Sequence, residues 1–214
     1  MRIDFVSDIA CPWCAVGLNS LERALEQLGA EVPVTLHFQP FELNPALGPE
    51  GEDIVEHLSA KYGIDAAQIA RNQAAIRERG AQVGFAFGTR GRIWNTFDAH
   101  RLLHWAGLEG PPDAQRALKH ALLQAYHGEG RNPGDAAVLM ACAQAAGLDV
   151  ARARAVLEGD EFAPEVRAAE ARWQRAGIRS VPSIVIDERH LIQGGQPPEV
   201  FEQALRQIAA ARGG

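Results

Sequence analysis

The stretch Ser7-Asp8-Ile9-Ala10-Cys11-Pro12-Trp13-Cys14 decides how this chain folds. Its last four residues set two thiols one helical turn apart, and the flanking residues say what structure holds them. Upstream, Ile3, Phe5 and Val6 suit a short strand. Downstream, Cys11, Cys14, Leu18, Leu21, Leu25 and Leu28 recur at steps of three and four, which is one face of a helix, and Gly29 ends it. Val32, Val34, Leu36 and Phe38 then alternate with Pro33, Thr35, His37 and Gln39. Alternation with an early proline fits an edge strand. Strand, helix and strand with short connections form a right-handed βαβ unit over residues 1–45. A bare C-x-x-C is ambiguous, but one that opens the helix of a βαβ unit reads as a redox motif.

The placement carries a chemical expectation. Cys11 falls at the helix start, where unpaired backbone N–H groups and the dipole favour negative charge, so its pKa should drop and the attacking thiolate should be populated. Pro12 suits the first helical position, since it has no N–H to lose. Cys14 lies one turn further in, on the apolar stripe, and should be the less exposed, resolving thiol. A zinc site would need further ligands. Cys142 has no neighbouring Cys and no Cys-x-x-His follows, so no metal is expected, and Cys142 reads as a small buried hydrophobe.

Residues 46–177 read as wholly helical, with helices near 52–61, 65–82, 96–106, 112–127, 134–146, 149–158 and 164–176. Gly63, Gly107, Gly128, Gly147, Gly159 and Gly177 punctuate most of their ends, and Asp113, Asp135 and Asp149 stand at helix starts. Such a block is too long for a loop. It is expected as a helical subdomain inserted into the α/β fold that residues 1–45 begin and 178–214 complete. In the last segment, Ser183–Ile186 and His190–Gln193 form a hairpin around Asp187-Glu188-Arg189. Gly194 to Pro198 breaks it, and Glu199 to Ala211 is an amphipathic helix on Val200, Phe201, Leu205 and Ile208.

Composition narrows the function classes. With 214 residues, 47% hydrophobic and 22% charged, the chain can bury a large core, which excludes disorder and a disulfide-built mini-scaffold. Twenty-one Lys+Arg against 27 Asp+Glu give a net charge of −6, a poor match for nucleic acid. No apolar stretch suits a membrane span, and the opening residues lack a secretion signal because Asp4 and Asp8 interrupt them, so a cytoplasmic protein is expected. There a Cys pair is catalytic or metal-binding more often than structural.

A second signal is Val181-Pro182, immediately before the returning strand. Together with Ser7–Cys14, Phe41-Glu42-Leu43-Asn44-Pro45, Asn95–Leu102, Ser180-Val181-Pro182-Ser183 and Gly194–Phe201, it makes the chain resemble the thioredoxin superfamily. Within it, the likeness is to the DsbA-like branch and its cytoplasmic FrnE-like group, across nearly the whole length. The resemblance implies a thioredoxin fold with an inserted all-helical subdomain, and thiol–disulfide oxidoreduction of a protein or a low-molecular-weight thiol. It implies that Val181-Pro182 is a cis bond beside Cys11, leaving the backbone of Val181 free to pair with substrate. Trp13 and Pro12 would shape the mouth of the site, and the helix opened by Asn95 would border its groove. Gln196 would contact a ligand, as the corresponding loop does in glutathione-binding relatives. No organic cofactor is implied beyond glutathione as a co-substrate, and relatives include monomers and homodimers. Related isomerases of the 2-hydroxychromene-2-carboxylate type and kappa-class glutathione transferases often have Ser where this chain has Cys11, so two cysteines favour disulfide chemistry. A glutathione-dependent isomerase or transferase is the alternative enzyme class, and a chaperone-like peptide clamp the alternative outside enzymes. His100 and His104 share a helix face but lack the Glu of H-E-x-x-H, so they are expected to pack rather than bind metal.

Overall fold

The computed structural model describes residues 1–212. In chain order the elements are β1 (Arg2–Ser7), α1 (Pro12–Leu28), β2 (Thr35–Pro40), β3 (Glu52–Asp53), α2 (Ile54–Tyr62), α3 (Ala66–Gln82), β4 (Arg92–Ile93), α4 (Phe97–Glu109) and α5 (Ala114–Leu123). A π-helical turn, Gln124–Gly128, continues α5. Then follow α6 (Ala136–Ala145), α7 (Val150–Glu158), α8 (Ala163–Arg175), β5 (Ser183–Ile186), β6 (His190–Gln193) and α9 (Pro198–Arg212).

The main sheet has the order β2-β1-β5-β6. β2 runs parallel to β1, with Phe5 opposite Phe38, while β5 is antiparallel to β1 and β6 to β5. β2 is therefore an edge strand, as its proline implied, and starts at Thr35, beyond Pro33. The β5–β6 turn puts Asp187 and Glu188 at φ 50° and 57°, the left-handed pair that matches the twist of a hairpin.

Alternation along β1 divides the core. Ile3 and Phe5, with Ile184 and Ile186 of β5, face α1 and α9, packing with Leu18, Leu21, Phe201 and Leu205. Val6 and Val185 face the other way, onto Phe41 and Trp173 of α8. On α9 the apolar stripe is narrower than its sequence implies, because Val200 is exposed while Phe201 and Leu205 are fully buried.

The helical segment does not form a core of its own. Leu102, Leu118, Tyr126, Leu139 and Val156 belong to the same cluster as Ile3 and Phe5. Three of its features depart from the sequence reading. The segment is not wholly helical, since Glu52–Asp53 pairs with Arg92–Ile93 in a short antiparallel ladder. Helix α4 runs through Gly107 to Glu109 rather than stopping before it. The long helix expected to 127 gives way at Leu123 to a widened turn closed by Glu129 N–H to Gln124 O. That turn points both Tyr126 and His127 fully inward. Asp135 and Asp149 cap α6 and α7 through their carboxylates, but Asp113 sits at φ 64° and makes no side-chain cap.

Candidate active site

Cys11 is the N-cap residue of α1, in extended backbone, and Pro12 fills the first helical position. Both thiols are free and buried, Cys11 at 5% exposure and Cys14 at 0%. Cys11 Sγ–H donates to Val181 O at 3.5 Å, which joins the motif to the cis Val181–Pro182 peptide across the sheet end. The two loops approach because glycines face them. A Cβ on Gly17 would stand 3.0 Å from Pro182 Cγ, and one on Gly195 would stand 3.1 Å from Trp13 O. A side chain at either position would push its neighbour back by a few tenths of an ångström.

The two thiols differ in acidity. Cys11 is held below the ordinary thiol value, because its thiolate accepts from the Cys14 thiol and from the N–H groups of Cys14 and Trp13 against the opposing effect of burial. Cys14 is pushed well above it by burial and then by its bond to Cys11. The N–H groups are those of the first helical turn.

Beneath the motif lies a layer of buried polar groups. Asp8, just before the turn, accepts from Ala10 N–H (3.1 Å), Leu43 N–H (2.7 Å) and the Thr96 hydroxyl (2.7 Å). His100 Nε2 stands 3.4 Å from the same carboxylate, beyond a close hydrogen bond. Burial alone would raise the Asp8 pKa, but the His100 ring, the Leu43 N–H and the Thr96 hydroxyl bring it below the usual carboxylate value. His127 on the π-helical turn bonds Ile9 O at 2.8 Å, and burial holds its pKa far down, so it is neutral and donates. Lys119 of α5 is fully buried, and its Nζ has no hydrogen-bond partner among the described residues. Burial lowers its pKa to about 8, while the charges of Cys14, Asp8 and Cys11 oppose that fall. An unpaired ammonium in a dry interior is costly, and the nearby groups whose negative charge favours it are Asp8 and, when ionised, Cys11 and Cys14.

Above the motif a cleft of about 900 Å³ opens between Cys11 and the α2–α3 pair. Its walls include Ile54, Leu58, Ile69, Ile76 and Phe41, and Trp13 and Tyr62 stand exposed among its lining residues. The volume and apolar lining fit a small-molecule site.

The expected site residues separate into two groups. Cys11, Pro12, Trp13 and Val181 line the cleft, and Pro182 lies behind them against Gly17. Asn95 and Gln196 do not line it. Asn95 Oδ1 accepts from Phe97 N–H at 2.8 Å and its amide reaches Pro45 O, so it starts α4 and ties a loop. Gln196 bonds Gln193 O at 2.8 Å within its own turn, which meets α1 through Gly195 instead. Ser183 is turned away, its hydroxyl donating to Ser180 O. In the Asn95–Leu102 stretch, Thr96 and His100 are the residues that reach the site. Cys142 is buried on α6, its thiol pushed up to about 11 by burial. His104 meets the Phe162 ring at a tilt, with centroids 5.6 Å apart. Among the described residues no cluster of His, Cys, Asp and Glu could hold a metal ion, and no helix is long and apolar enough to cross a membrane.

Sequence reasoning missed Lys119, His127 and the cleft wall from α2 and α3. Lys119 had one available signal: it lies between Leu118, Leu122 and Leu123 on the apolar face of α5, where a lysine is out of place.

Similarity to known proteins bears on this site. A crystal structure described as a probable DsbA oxidoreductase from Streptomyces coelicolor superimposes with a TM-score of 0.90 at 37% identity, covering 99% of this chain and 90% of that one. Protein YwbO of Bacillus subtilis (strain 168) is 26% identical over 210 residues, 96% of each chain. A structure of 2-hydroxychromene-2-carboxylate isomerase shares the fold at 13% identity, with a TM-score of 0.76 and coverage of 100% and 98%. The family model for the DSBA-like thioredoxin domain matches residues 2–206. From β1 into α9, the chain belongs to the DSBA-like thioredoxin domain family.

Proposed function

We propose that the protein is a thiol–disulfide oxidoreductase in which Cys11 attacks and Cys14 resolves. The observation that carries this reading is the asymmetry of the pair: Cys11 borders the cleft with a lowered pKa, and Cys14 is sealed beneath it with a raised one. Membership of the family supports the same class of chemistry.

In the reducing direction, the Cys11 thiolate attacks one sulfur of a substrate disulfide and expels the other half as a thiolate. The product is a mixed disulfide on Cys11. Cys14 then loses its proton and attacks Cys11 Sγ, which releases the second thiolate and leaves a Cys11–Cys14 disulfide. Substrate gains two electrons and the protein loses two. The second step needs a thiolate where burial opposes one, and Lys119 is the buried cation whose charge favours it. Val181, whose carbonyl already meets Cys11, borders the incoming disulfide. The direction in the cell follows from the redox potential, and Trp13, between the cysteines, is placed to report it by fluorescence.

The test uses two variants. Cys11→Ser should abolish reduction of a model disulfide, and Cys14→Ser should accumulate a mixed disulfide on Cys11 that mass spectrometry identifies. Undiminished reduction by Cys11→Ser would refute the mechanism. A second reading, a glutathione-dependent isomerase, draws on the volume of the cleft and on the fold shared with the isomerase. It predicts isomerisation that survives Cys11→Ser.

A further inference from the structure

The charged groups of the cleft are not balanced. The chain as a whole carries net charge −6, yet Lys61, Arg90 and Arg179 all line the space above Cys11. None of the three makes an ion pair with a carboxylate among the described residues. Each is positioned by neutral groups instead. Lys61 Nζ donates to Leu43 O at 2.8 Å and Asn44 Oδ1 at 2.6 Å. The Arg90 guanidinium lies 4.9 Å from the centre of the Tyr126 ring, and Arg179 donates to the carbonyls of Gln174 and Ile178. These anchors hold the side chains without cancelling their charge. The one acid in the lining, Glu42, is already engaged by Arg167, and His57 is bonded to Glu52 and Asn44.

The rest of the lining is mostly apolar, with Asn72, Gln73 and Ser180 as neutral polar groups, and it includes two exposed rings, Trp13 at 37% and Tyr62 at 57%. Exposed aromatic faces offer a flat group large contact at small entropic cost. Clefts lined by one sign of charge with low-dielectric walls focus their field on an incoming ion of the opposite sign.

We infer that the cleft selects a low-molecular-weight disulfide that carries a planar apolar group and an acid, the ring lying between Trp13 and Tyr62 and the acid facing Lys61, Arg90 and Arg179. This rests on the thiol–disulfide reading of Cys11. The chemistry balances within one turnover. The reduced protein supplies two electrons, the Cys11 thiolate breaks the aryl disulfide, and Cys14 displaces the second aryl thiolate. Both halves leave as thiolates and the protein leaves as its disulfide.

The experiment measures single-turnover rates of the prereduced full chain with three probes. These are 5,5′-dithiobis(2-nitrobenzoate), which is aromatic and anionic, 2,2′-dithiodipyridine, which is aromatic and neutral, and cystamine, which is aliphatic and cationic. Each rate is divided by that of a neutral small thiol with the same probe, and only the part removed by Cys11→Ser is counted. The expected order is anionic, then neutral, then cationic, with about a fivefold preference for the first over the second, the upper end for one exposed ion pair. The triple substitution Lys61→Met, Arg90→Met, Arg179→Met should collapse that preference. So should about 1 M salt on the unaltered protein, where the Debye length is about 3 Å; this arm holds even if the triple variant fails to fold. A preference that is absent, reversed or insensitive to salt overturns the inference, as does a stronger normalised preference for an oxidised unfolded protein. Failure to reduce all three probes would instead refute the assignment of Cys11.

Discussion

On one side of the Cys-Pro-Trp-Cys turn lies an open apolar cleft of about 900 Å³. On the other lies a sealed floor where Asp8, His100, Lys119 and His127 are each at most 2% exposed. The cleft places cations at an accessible surface and leaves them uncompensated. The floor buries charge where no substrate can reach it. Recognition needs groups that meet a ligand, and the cleft holds its cations through neutral partners that leave their charge free. Proton and charge control needs fixed groups in a low dielectric, where each charge acts strongly. The difference teaches that Cys11 and Cys14 share one helical turn but answer to separate surroundings.

Changes in the floor should alter stability and proton balance together. The largest effect is expected for Asp8→Asn. The amide retains one acceptor but turns a donor toward Ala10 N–H, Leu43 N–H or the Thr96 hydroxyl, and it removes a negative charge near Lys119. Loss of about 3–5 kcal/mol is expected, as for breaking a buried charged contact, and denaturant unfolding measures it. A loss under about 1 kcal/mol would mean that the carboxylate organises little beneath the turn.

Lys119→Met should act with the opposite sign on stability. Burial lowers the Lys119 pKa from 10.5 to about 8. Below pH 8 the amine is charged in both folded and unfolded chains, and the full burial penalty applies. Between pH 8 and 10.5 only the unfolded chain binds the proton, so stability rises with pH across that window. The Met variant should therefore be more stable by about 3 kcal/mol below pH 8, a gain that fades towards pH 10.5. Its mixed disulfide should also persist longer, because Cys14 has lost its cation. A destabilised variant, or an effect independent of pH, would remove Lys119 from the account. Asp8→Asn and Lys119→Met together should be non-additive, since each alters the charge the other feels.

The same two regions show what could be read from residues alone. The βαβ unit, the hairpin and α9 were legible because their periodicities are local: steps of three and four from Cys11 to Leu28, alternation from Val32 to Phe38, and a turn at Asp187–Arg189. The Cys11–Cys14 pair was legible for the same reason. The floor was not, because it is assembled from α4, α5 and the π-helical turn, distant in sequence from Asp8. Its widened turn depends on tertiary packing, which aims His127 at Ile9, and no local pattern separates it from the end of a long helix. Asn95 shows the converse. It belongs to a stretch that resembles the family, but Thr96 and His100, one and five positions on, are the residues that reach Asp8. A motif marks a region, and the helix phase decides which side chains face the site.

The most direct test of the two-sided account is the pH dependence of alkylation at each cysteine of the reduced protein, resolved by peptide mass spectrometry. The account predicts that Cys11 reacts first, with a midpoint below the ordinary thiol value of about 8.5, while Cys14 stays unmodified until far higher pH. Equal reactivity of the two thiols, prior reaction at Cys14, or a Cys11 midpoint at or above that value would contradict it.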